Sequence, residues 1–113
     1  MRRYDSLRGR KEFGAVMRAG RRAASNSLAV FSLRPRRAAQ TSPKVGIIIT
    51  KKVGKAVVRN RLRRRCQAIL DGASDILAAR WYVVALRPKA AHLSFAELRH
   101  QLVDTVARAE DAQ

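Results

Sequence analysis

Residues 51 to 65 read Lys-Lys-Val-Gly-Lys-Ala-Val-Val-Arg-Asn-Arg-Leu-Arg-Arg-Arg, which sets eight cationic side chains in fifteen positions with no carboxylate among them. Such a run repels itself: Lys55 with Arg59, Arg59 with Arg63 and Arg61 with Arg65 are like-charge i,i+4 pairs, each costing a helix roughly 0.2–0.5 kcal/mol. Lys51, Lys52 and Lys55 also fall where the helix should begin, and the positive end of its dipole disfavours cations there. The isolated fold gains nothing from this arrangement. A polyanion that neutralises the charges turns the cost into binding energy, so the predicted chemistry is recognition of nucleic acid.

The charge is unevenly spread. Residues 1 to 70 carry twenty Lys and Arg against Asp5 and Glu12, whereas residues 71 to 113 carry five against six Asp and Glu. A basic half on a nearly neutral half predicts a charged face rather than general solubility charging, and a pI near 11.8 is in the range of nucleic-acid binders. Catalytic groups are scarce: His92, His100, Cys66 and eight carboxylates form no recognisable pair and no metal-binding spacing. A self-sufficient nuclease is therefore disfavoured. Cys66 falls on the apolar stripe of its helix and is expected in the core.

These residues need a scaffold. The length of 113 residues predicts one domain over 1–113 with one core. No apolar run reaches the roughly 20 residues that span a bilayer, and the N-terminus lacks a signal-peptide segment, so a cytoplasmic protein is expected. Phe13, Val16 and Met17 share a face of a helix over 8–19, with Gly20 at its end. Residues 22–33 read as a strand, with Leu28 and Val30 on one face and Ala29, Phe31 and Leu33 on the other. A basic loop with Pro35 and Pro43 follows at 34–44. The β-branched runs 45–50 and 81–86 suit central strands buried on both faces. On the helix at 55–71, Val58, Leu62, Cys66 and Ile69 make the packing stripe. Asn60, Arg63, Arg64 and Gln67 lie opposite, and Arg59 and Arg61 flank it. The last helix, 95–109, opens with a Ser94/Glu97 capping box and a Leu93/Leu98 staple, and is expected to bury Phe95, Leu98, Leu102 and Val106.

The stretch from Lys44-Val45-Gly46 through Thr50-Lys51-Lys52-Val53-Gly54-Lys55 to Arg59-Asn60-Arg61-Leu62-Arg63-Arg64 resembles the signature of the protein subunit of bacterial ribonuclease P. Glu12-Phe13 with Val16 and Gly20 is similar to that family's first helix, and Ser94-Phe95-Ala96-Glu97-Leu98 to its last. The resemblance implies an α/β (α+β) two-layer sandwich like domain 2 of ribosomal protein S5. Its mixed sheet would have about four strands and a left-handed βαβ crossover, against the right-handed default. It further implies that the partner is a catalytic RNA, which with bound Mg²⁺ hydrolyses the phosphodiester bond releasing the 5′ leader of precursor tRNA. The protein would bind that RNA and the leader without being the catalyst. No organic cofactor, membrane or obligatory protein partner is expected.

Carried over onto matching positions, the resemblance implies RNA contact at Lys51, Lys52, Arg59, Asn60, Arg61, Arg63 and Arg64, and leader contact at Phe13, Met17 and Phe31. Met17 stands where relatives often carry a second aromatic, and Gln67 where they often carry another Arg. A structural RNA-binding protein, such as a ribosomal component, is the alternative that explains the charge, though not the extended signature.

Overall fold

The computed structural model describes residues 4–34, 43–78 and 80–111. The elements run β1 (Asp5–Ser6), α1 (Gly9–Ala19), β2 (Arg21–Ala24), β3 (Leu28–Leu33), β4 (Lys44–Ile48), α2 (Ala56–Gly72), β5 (Trp81–Leu86) and α3 (Phe95–Asp111), with short 3-10 turns before β5 and before α3. The chain is α+β, with a mixed five-stranded sheet in the order β1-β4-β5-β3-β2. β1, β4 and β5 are parallel, and β5, β3 and β2 are antiparallel. The two β-branched runs therefore fill interior positions, as their lack of polar alternation predicts. Residues 35–42, most of the expected basic loop, lie outside the described residues.

Two expectations are corrected. The single strand at 22–33 is a hairpin, because Ser25-Asn26-Ser27 turns the chain: the Ser27 and Leu28 N–H groups donate to Ser25 Oγ at 3.3 Å, and Ser25 N–H donates to the Leu28 carbonyl at 2.8 Å. With the two-residue β1, this makes five strands instead of about four. Phe95 is 43% exposed rather than buried. Leu93, just before the cap, packs on the core at the helix entrance, so the buried stripe begins one turn later, at Leu98. The capping box itself forms. Glu97 N–H donates to Ser94 Oγ at 3.1 Å, and Ser94 N–H donates to Glu97 Oε1 at 2.8 Å.

The main core lies between one sheet face and the helices α2 and α3. Leu28, Val30, Tyr82 and Val84 from the strands meet Leu62, Cys66, Ile69 and Leu70 of α2 and Leu98, Leu102 and Val106 of α3. Burial pushes the Cys66 thiol up to about 12, against a smaller opposing pull from Arg63, so it packs as a protonated apolar group. Burial likewise raises the Tyr82 phenol, and its hydrogen bond to Glu110 raises it further. That bond ties the end of α3 to β5.

Candidate nucleic-acid interface

α2 and α3 have the same length, 17 residues, and pack on the same face, but they begin differently. α2 starts from Lys55 with no side-chain cap and no acid in its first turn. Lys51, Lys52, Lys55, Asn60, Arg61, Arg63 and Arg64 are exposed, and Arg59 is half-buried. Among the described residues, no cation from Lys51 to Arg65 is ion-paired with a carboxylate. Val57 adds an apolar spot that is 77% exposed. The stripe of Leu62, Cys66 and Ile69 holds the helix down while the cations stay free to meet phosphate. Three arginines also have local tasks: Arg59 Nε donates to the Gly54 carbonyl at 3.2 Å, Arg63 to the Ile47 carbonyl at 3.2 Å and Arg65 to the Leu93 carbonyl at 3.4 Å.

Among the described residues, the opposite sheet face is only partly covered, by α1. Strand register sets its rows, since directly paired residues point the same way. One row runs Arg22, Phe31, Val83, Gly46; on one side of it lies Leu33, Trp81, Lys44 and on the other Ala24, Ala29, Ala85, Ile48. Val16 of α1 is fully buried in a small cluster with Val83 and Leu7, against which Phe13, Phe31, Leu33, Ile48 and Trp81 pack half-buried. Phe13 reaches across to β4, where its ring occupies the space a Cβ on Gly46 would fill. Only glycine admits the ring this close. The Arg22 guanidinium lies 5.9 Å from the Phe31 ring centroid, within the range of a cation–π contact. Met17 is 40% exposed on α1.

Motif and periodicity keep the helix cations apart from the aromatic cleft, but the fold connects them. β1 pairs with Lys44 and Val45, so among the described residues no strand pairs with the outer edge of β4 from Gly46 onward. Arg63 and Gln67 reach over it, and one hollow is lined by Leu7, Phe13, Gly46, Ile47, Arg63 and Gln67. Neither helical periodicity nor motif spacing reveals this, because the junction depends on how short β1 is.

Histidines 92 and 100 are exposed, and the Glu12 carboxylate is taken up by Arg8 N–H and Lys44. Among the described residues, no three His, Cys, Asp or Glu come together to hold a metal ion. No described helix is long and apolar enough to cross a membrane.

Free cations on a packed helix, beside an unfinished apolar face with aromatic rings, give this α+β fold a surface whose charge and shape suit nucleic acid. The Ribonuclease P family model matches residues 1–110. The ribonuclease P protein component of Thermobifida fusca is 37% identical over 93% of this chain and 75% of its own length. That of a Cyanothece species is 34% identical over 92% and 91%. The RNase P protein structure from Staphylococcus aureus superposes with a TM-score of 0.84 at 18% identity, covering 96% of this chain and 97% of that one. The one from Thermotoga maritima gives 0.79 at 23%, covering 92% and 96%. These two establish the shared fold, and the chain belongs to the ribonuclease P protein family.

Proposed function

We propose that this chain is the protein component of a cytoplasmic ribonuclease P ribonucleoprotein. In this reading a catalytic RNA, with its own bound Mg²⁺, hydrolyses the phosphodiester bond that releases the 5′ leader of precursor tRNA. Lys51, Lys52, Arg59, Asn60, Arg61, Arg63 and Arg64 hold the RNA backbone, and Phe13, Met17 and Phe31 receive unpaired leader bases. The observation that carries this reading is the set of unpaired cations on α2 joined through one hollow to Phe13. Phosphates displace counterions at the helix, while flat rings accept bases without sequence preference. The protein contributes binding and placement, and the bond-breaking groups belong to the RNA.

Reconstitution tests the proposal. The isolated chain should cleave no precursor tRNA, whereas adding the RNA that co-purifies with it should give accurate 5′ processing in Mg²⁺. RNA-free cleavage that disappears on substituting a carboxylate or histidine of this chain would overturn the reading. Replacing Arg59→Ala and Arg61→Ala together should weaken assembly and lower the log–log salt slope by about 0.7–0.9 for each phosphate that is no longer neutralised. An unchanged slope in a folded variant would show that these arginines do not meet the RNA backbone.

A further inference from the structure

Glu12 is a half-buried carboxylate beside Phe13 on α1, in a chain with net charge +17. By long-range electrostatics alone it opposes any polyanion bound nearby. Its two oxygens are both engaged. Oε1 accepts the Arg8 N–H at 2.6 Å at the start of α1, and Oε2 accepts Lys44 Nζ at 3.1 Å across the gap to β4. The Lys44 ammonium in turn lies 5.2 Å from the Trp81 ring centroid. Burial raises the Glu12 carboxyl, but the Arg8 hydrogen bond and the Lys44 contact outweigh it and hold the group below its ordinary range, so it is ionised at neutral pH.

The next residue on α1 is Phe13, and two residues beyond Lys44 on the same face of β4 is Gly46, beneath the Phe13 ring. The ion pair and the ring contact are thus neighbouring cross-links between the same helix and the same strand. Asp5, paired with Lys44 from β1, is the other carboxylate at this edge, but Glu12 is the one that joins Lys44 to α1.

We propose that Glu12 is a positioning residue: by holding Lys44 it fixes the separation of α1 from β4, and so keeps Phe13 where an unpaired base of the leader stacks. This inference rests on the leader-cleft reading above. Three physical pictures differ in sign. If Glu12 acted only through its charge, Glu12→Gln would tighten every RNA. If it acted only on stability, precursor and mature tRNA would lose affinity equally. Positioning predicts a loss confined to the leader.

The experiment measures precursor and mature tRNA binding to the reconstituted ribonucleoprotein for wild type, Glu12→Gln, Lys44→Gln and the two together. Glu12→Gln should lose threefold to tenfold for the precursor with mature tRNA changed by less than twofold, and adding Lys44→Gln should cost the precursor little more, because the bridge is already broken. Unchanged or tighter precursor binding, an equal loss for both ligands, or additive losses in the double variant would each overturn the proposal. Should Glu12→Gln fail to fold, Lys44→Gln breaks the same bridge from the strand and must show the same leader-confined loss. A wild-type particle that binds both ligands equally would instead refute the leader cleft itself.

Discussion

Leu28, Val30, Tyr82 and Val84 point to one face of the sheet and are fully buried beneath α2 and α3, whereas Phe31, Trp81 and Ala85 on the other face stay half-buried beside α1. The same strands supply both faces, so strand propensity does not separate them. The difference is in what covers them: two 17-residue helices on one side, a single 11-residue helix on the other. Apolar area left in water forgoes about 25 cal/mol per Å². A ligand that covers the α1 face recovers it. Among the described residues, one face is finished by the chain itself and the other is not; in the function proposed above, RNA covers it.

The closed face should give the largest effect when it is disturbed. Leu62→Ala removes a fully buried side chain from the middle of α2, and large-to-small changes of this kind cost about 2–5 kcal/mol. Urea unfolding measures it. A loss below about 1 kcal/mol would mean that the site collapses freely, and the distinction between a packed face and an unfinished one would weaken.

Gly46→Ala probes a place where the open face is tightly packed. The added methyl would collide with the Phe13 ring and lie 3.1 Å from Leu7 Cδ1. Overpacking typically costs about 1–3 kcal/mol. The ring must also leave its place, so precursor binding should fall with stability. In a Phe13→Ala background the same methyl meets no ring, and its stability cost should largely vanish, a non-additivity that a double-mutant cycle reads directly. Additive costs would place the collision elsewhere.

These two sites also mark what the sequence makes legible. The α2 stripe of Leu62, Cys66 and Ile69 shows in helical periodicity because each residue has a single covering surface, and the run at 81–86 matches β5 residue for residue because a central strand with apolar side chains on both faces leaves an unbroken apolar run. The hairpin is hidden because Arg21–Ala24 and Leu28–Leu33 together pass as one long strand, although Ser25-Asn26-Ser27 carries the turn chemistry. β1 is too short for any period, and with it go the open edge of β4 and the hollow that joins Phe13 to Arg63 and Gln67. The site residues stand out one at a time by type and motif; their connection depends on tertiary geometry that no spacing encodes.

The smallest effect asked of the comparison is at Phe31, which lies on the open face with Arg22 above it. If the ring is there for a leader base, Phe31→Leu keeps apolar volume for the small cluster around Val83 and Val16 but removes the flat surface. Stability and assembly with the RNA should then barely change. Affinity for precursor tRNA should fall by about 1 kcal/mol, fivefold to tenfold, at the lower end of what base–aromatic stacking supplies. Mature tRNA has no leader to stack, so its affinity should stay within twofold. If Phe31 is instead a core residue like Val30 beside it, the variant should melt earlier and lose both ligands equally. Measuring the two affinities beside the melting temperature separates these outcomes, since only a face left open for a partner makes the loss depend on whether the leader is present.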